Sequence, residues 1–222
     1  METLRKFLDV FLHLDKHLDE WAQLMGSGLY GVLFLIIFCE TGLVVTPFLP
    51  GDSLLFAVGA LGKTEAFSLP VVMVVMFVAA VLGDAVNYSI GYRIGPKAFT
   101  RDDSMFLKKK HLFKAQAFYE KHGGKAIILA RFVPIVRTFA PFVAGIGKMS
   151  YQRFLAFNVI GAGVWVVLLT LAGVQFAEVP FVKKHFELVV LAIVGLSVLP
   201  IVIEYVRDRM RGGDAKPAAN AD

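Results

Sequence analysis

Apolar residues come in blocks along this chain, and the length of each block limits what it can be. Residues 27–62 form a long apolar stretch interrupted near its middle by Pro47, Pro50, Gly51 and Asp52. Residues 69–94, 154–176 and 188–206 are apolar without a break, whereas 126–147 is apolar but carries Pro134, Pro141 and Gly145. A helix that crosses a bilayer needs about 20 apolar residues, each rising roughly 1.5 Å. The three unbroken blocks meet that length and predict transmembrane helices. Each arm of 126–147 is about 8 residues, or about 12 Å, which predicts a re-entrant hairpin that enters the bilayer without crossing. The return arm of the first block, 53–62, is about 15 Å long and also too short. Its first arm crosses only if it is straight. Ahead of these blocks, Leu4, Phe7, Leu8, Phe11, Leu18 and Trp21 recur at helical spacing among Asp9, Lys16, Asp19 and Glu20. That pattern predicts an amphipathic helix over 1–26, lying in the membrane interface or packed on the rest of the protein.

Composition agrees with the pattern. Hydrophobic residues make up 57% of the 222, above the 45–50% of soluble domains, and mean hydropathy is +0.66. The length suits one membrane domain over 27–206, followed by a basic polar tail over 207–222. Asp9, His13 and Asp15 interrupt what would be the apolar core of a signal peptide. Cys39 is the single cysteine, so no zinc-type Cys/His spacing exists. No metal site and no cofactor are expected, and no nucleic-acid partner.

Charge sets orientation. Between 96 and 125 there are eight Lys/Arg against three Asp/Glu, and Arg207, Arg209 and Arg211 follow the last apolar block. Both regions are expected on the cytoplasmic side, which puts the C-terminus inside the cell. The unit "broken hairpin plus full helix" then occurs twice, over 27–94 and 126–176, in opposite orientations. The expected fold is an all-α integral membrane protein. It has an inverted repeat of re-entrant hairpin plus transmembrane helix, an N-terminal amphipathic helix and a C-terminal transmembrane helix. Pro/Gly-broken apolar segments at matching places in two halves point to a transport site near the midplane.

The broken segments also carry the charges. Glu40 and Asp52 are the carboxylates of the first, and Arg131 and Arg137 the arginines of the second. A charge at membrane depth costs about 2.5–3.5 kcal/mol on insertion scales and is functional by default. Arginine offers a planar fork of donors suited to carboxylate or phosphate. Six positions separate Arg131 from Arg137, so they diverge on an unbroken helix, and a break at Pro134 lets them converge. The functional reading is a phosphate clamp of two arginines facing two carboxylates; the alternative is a quartet that only welds the hairpins together. Asp84 is either a second proton-handling carboxylate or the cap of a packed polar network. Gly83, Asn87, Gly91 and Gly95 form a small-residue stripe suited to close helix packing, within one chain or in a homo-oligomer. Asn158 and Trp165 read as helix–helix contacts.

These stretches resemble the DedA family of bacterial inner-membrane proteins. The similarity runs through Phe38–Gly42, Pro50–Leu55, Gly83–Tyr88, Tyr119–Lys125 and Ala130–Gly145, and so over nearly the whole chain. The resemblance implies two re-entrant hairpins and a core similar to that of the VTT-domain lipid scramblases. It implies a role in returning undecaprenyl phosphate to the cytoplasmic face, with proton-motive force as driver. It also implies links to alkaline-pH tolerance, antimicrobial tolerance and cell division. The family's required acidic and basic residues fall on Glu40, Asp52, Arg131 and Arg137.

The expected function is therefore that of a flippase for a phosphorylated polyprenyl lipid, with protons as the expected coupling partner, in the bacterial inner membrane. It is not expected to be an enzyme. A lipid-phosphate phosphatase needs a nucleophile or general acid/base at the clamp, and neither hairpin holds a histidine, although Ser53 and Thr138 are nearby hydroxyls. A proton-coupled cation antiporter is the alternative that uses the carboxylates alone.

Overall fold

The computed structural model describes residues 24–43, 51–62, 67–94 and 123–176, together with Trp21 and scattered positions between 178 and 195. The expectations for the amphipathic helix, the basic loop, Pro47, Pro50, Gly95, most of the last transmembrane helix and the tail lie outside the described residues. Among the described residues all regular structure is helical: α1 Gly28–Gly42, α2 Gly51–Leu61, α3 Leu69–Ile94, α4 Lys125–Ala130, α5 Pro134–Ile146 and α6 Tyr151–Phe176.

Two of these, α3 and α6, have 26 residues each and are long and apolar enough to cross a membrane. Their faces are inverted relative to a soluble amphipathic helix. On α3, Val74, Val78, Leu82, Val86 and Ile90 are exposed, while Asp84 and Asn87 are buried. On α6, Ile160, Val164, Val167, Leu168 and Leu171 are exposed, while Asn158 and Thr170 are buried. Large aliphatic side chains outside and polar ones inside suit a helix whose surroundings are lipid.

The other four helices are shorter, and each has one end near the middle of a long one. The α1 helix has 15 residues, about 22 Å. It starts beside the N-terminal end of α3, where the Ser68 N–H donates to the Tyr30 hydroxyl at 3.1 Å. It ends at Gly42 against Gly83, near the midpoint of α3. The second pair repeats this arrangement: Gly124 lies on Phe157 near the start of α6, and α4 ends where Arg131 lies on Gly161. The returning helices cross to the other half. From near the midpoint, α2 follows α6 outward to Gly173, and α5 follows α3 outward to Gly91. The long helices run antiparallel, with Val81 opposite Asn158 and Phe77 opposite Gly163.

Each crossing is held by a pair of glycines. A Cβ on Gly59 would collide with the Thr170 backbone, and one on Gly173 with the Phe56 carbonyl. In the other half, a Cβ on Gly91 would collide with the Phe142 carbonyl, and one on Gly145 with the Tyr88 carbonyl. Gly91 and Gly173 stand at the same position in two helices of equal length. This corrects the reading of Gly145 as a hairpin breaker: it lies inside α5 and serves as a contact point. Pro141 likewise lies within α5 and does not end it. It has no N–H to give to the Arg137 carbonyl, but the helix continues through it to Ile146. The arms of the second pair are thus 6 and 13 residues, not two of equal length. Gly83 and Gly91 of the small-residue stripe are used inside the chain, against α1 and α5.

Candidate functional site where the short helices end

The site is built from helix ends. Pro134 occupies the first turn of α5, where its missing N–H costs nothing. It restricts the preceding residue, and Val133 is extended at φ −120, ψ 102. The turn over 131–133 separates α4 from α5 and lets Arg131 and Arg137 point into one region. Gly51 starts α2, and a Cβ there would collide with the Glu40 carboxylate, so only glycine admits that carboxylate. Asp52 follows in the first turn of α2, where the helix dipole favours negative charge.

Arg137 is 6% exposed and reaches two carboxylates on two helices. Its Nη1 donates to Asp52 Oδ1 at 2.8 Å, and its Nη2 donates to Glu40 Oε1. Glu40 is fully buried, whereas the Asp52 side chain keeps 20% exposure. Arg131 does not join this cluster. Its Nη2 donates to Asp84 Oδ2 at 2.5 Å and to Asn158 Oδ1 at 2.6 Å. The expected quartet is therefore two clusters: Arg137 with Glu40 and Asp52, and Arg131 with Asp84 and Asn158. Both are buried, and unequal charge distinguishes them. With its carboxylates ionised, the first carries a surplus negative charge and the second is balanced.

Trp165 stands between the clusters. Its indole Nε1 donates to Asp52 Oδ1 at 2.8 Å. The Arg131 and Arg137 guanidinium carbons lie 5.8 and 5.4 Å from its ring centroid, within range of cation–π attraction. Asn158 is fully buried and donates from Nδ2 to the Val81 carbonyl at 3.0 Å. Asn87 donates to the Thr41 carbonyl at 3.2 Å and to the Thr138 carbonyl at 2.9 Å, so it ties both short-helix pairs to α3. Reading Asn158 and Trp165 as helix contacts missed their place in the site. The available signal was their seven-residue separation, which puts both on the α6 face that also carries Gly161 and Ala162.

Several polar atoms in the site are buried without a hydrogen-bond partner: Arg131 Nε and Nη1, Arg137 Nε, Glu40 Oε2 and Asn87 Oδ1. A buried donor left unmade costs about 1–3 kcal/mol, more when charged. Three of these atoms are guanidinium nitrogens with no acceptor among the described residues.

Fold and site together define a membrane protein in which two pairs of short helices meet, charge to charge, at the middle of two long apolar ones. The VTT domain family matches residues 49–175, and the chain belongs to the DedA family of VTT-domain membrane proteins. It is similar to "Protein DedA" of Escherichia coli K12, at 54% identity over 94% of this chain and 96% of that protein. It is similar to the "Uncharacterized membrane protein Rv0364" of Mycobacterium tuberculosis, at 45% identity over 86% of each chain. It is also similar to the "Inner membrane protein YqjA" of E. coli K12, at 34% identity over 91% of this chain and 90% of that one. No solved structure matches the chain.

Proposed function

We propose that the protein is a flippase of the bacterial inner membrane for a phosphorylated polyprenyl carrier lipid of the undecaprenyl phosphate type. In this reading α1–α2 and α4–α5 are re-entrant hairpins that enter from opposite faces, with the C-terminus in the cytoplasm. The observation that carries the reading is the placement of Arg131 and Arg137. Both are buried at mid-depth, and together they present three guanidinium nitrogens without partners. A phosphate headgroup is an acceptor that matches such donors. The polyprenyl tail stays in the bilayer while the headgroup alone passes the site.

Glu40 and Asp52 compete with the headgroup for Arg137. Their surplus negative charge repels an anion while both are ionised. Protonation from the proton-rich face frees Arg137 to bind phosphate, and proton loss on the other face restores the ion pairs and expels the lipid. The cycle couples proton and lipid movement without covalent chemistry, so no enzymatic step is needed. The reading is tested with Arg137→Lys in sealed proteoliposomes. Lysine keeps the charge but cannot donate to Glu40, Asp52 and phosphate through a fork. Headgroup translocation is expected to fall at least about tenfold, ~1.4 kcal/mol of barrier. A lysine protein that translocates normally contradicts the clamp. Proton-coupled cation flux without lipid movement would instead favour an antiporter that uses the carboxylates alone.

A further inference from the structure

Nothing in the transport cycle requires the two charge clusters to communicate, yet one side chain touches both. Trp165 donates to Asp52 Oδ1, the oxygen that also accepts from Arg137. Its ring lies within cation–π reach of Arg137 on one side of the site and Arg131 on the other. The ring is 1% exposed, so the effective dielectric around it is low. The two long helices differ at this place. Gly83 of α3 and Trp165 of α6 occupy the same position in helices of equal length. Gly83 admits α1 by having no side chain, with Thr41 and the Phe38 carbonyl against it, whereas Trp165 fills the centre.

We propose that Trp165 is a positioning residue that couples the Arg131 cluster to the Arg137 cluster. Movement of either guanidinium changes the face of the ring available to the other. Rotation of the ring moves the N–H that holds Asp52 toward Arg137. A change of charge on the Arg131 side is thereby transmitted to the carboxylates that hold Arg137. The charged groups facing this centre are Glu40 from α1, Asp52 from α2, Asp84 from α3, Arg131 from the turn before α5, and Arg137 from α5. Trp165 is the α6 group that reaches both arginines. The clusters also act on each other directly through space, so Trp165→Leu isolates the ring's share. The carboxylate titration shift caused by Asp84→Asn, read by infrared spectroscopy, is expected to shrink by about half or more in that background. An unchanged shift overturns the role of the ring. This inference concerns communication within the site and stands whether or not the ligand is a lipid phosphate.

The chain has two tryptophans, so Trp21→Phe leaves Trp165 as the sole indole reporter. The experiment records Trp165 emission of this protein in lipid nanodiscs between about pH 4 and 9, a range covering perturbed carboxylates. It then repeats the titration after altering the Arg131 side alone, with Asp84→Asn and, separately, with the isosteric Asn158→Asp. The second variant keeps the test open if the first does not fold, and both are checked for monodispersity. Strongly coupled sites share their titration steps. A pH-dependent emission whose midpoint moves by about one unit in a folded variant is the expected result. Emission that ignores pH, or midpoints equal in all folded variants, overturns the coupling. Farnesyl phosphate, with farnesol as control, is then added to the Trp21→Phe protein. A saturable emission change with the phosphate alone supports the lipid-phosphate reading; its absence counts against that reading and leaves the coupling result intact.

Discussion

The two halves of this molecule share a scaffold and divide the chemistry. In each, a returning short helix crosses the other half's long helix on a pair of glycines, Gly59 with Gly173 and Gly91 with Gly145. Counting back from the crossing glycine by the same number of residues reaches Gly51 in α2 and Arg137 in α5. At equivalent places one half thus has a glycine that makes room for the Glu40 carboxylate, and the other has the arginine that binds it. Glu40, Asp52 and Asp84 come from the first half, and Arg131 and Arg137 from the second. Symmetry brings the halves together at the midpoint of the long helices; asymmetry makes the meeting point a set of ion pairs instead of a clash of like charges.

The largest way to break this comparison is to remove one arginine. Arg137→Ala strands the buried Glu40 and the part-buried Asp52, and Arg131→Ala strands the buried Asp84. Losing one partner of a buried pair costs about 3–5 kcal/mol, and the Arg137 variant is expected at or above the upper end, with Arg131 below it. Thermal unfolding in one detergent checks the order. Combining Arg137→Ala with Glu40→Gln and Asp52→Asn removes the charges together and is expected to recover most of that stability without recovering transport. Recovery of both would make the quartet a weld only.

Next come the crossings. Gly91→Ala and Gly173→Ala each force a methyl group against backbone, and overpacking costs about 1–3 kcal/mol. Because the contacts are equivalent, the two losses are expected to be equal within the error of the measurement. Unequal losses in the same assay would show that the halves are matched in outline only. Last comes Trp165→Phe, which keeps an aromatic ring, removes one donor to Asp52 and leaves a void in a packed centre. About 1 kcal/mol of stability is expected to go with the hydrogen bond and about as much again with the void.

The long helices were legible from the sequence because apolar length alone specifies them: α3 covers the block expected, and α6 begins three residues before its block. The break before Pro134 was equally readable, since proline restricts the residue ahead of it. Pro141 misled for a related reason. An interior proline removes one backbone hydrogen bond, here that of the Arg137 carbonyl, and α5 continues through it while packed closely against α3. The charged residues stood out because ionisable side chains are rare in apolar blocks. Their pairing was not legible: it depends on which helix Arg131 faces, and α4 places it against α6 and Asp84, away from Glu40. Trp165 escaped notice because a tryptophan in an apolar helix looks like packing until its N–H is seen on a carboxylate.

The most direct test of the central claim is headgroup translocation of a polyprenyl phosphate in sealed proteoliposomes under an imposed proton gradient. Wild-type protein is compared with Arg137→Ala shown to be inserted and folded. The account expects wild-type translocation that depends on the gradient and is lost in the variant. A folded wild-type protein that moves no headgroup in either gradient direction, or a variant that moves it equally well, would contradict the assignment of these buried charges to lipid transport.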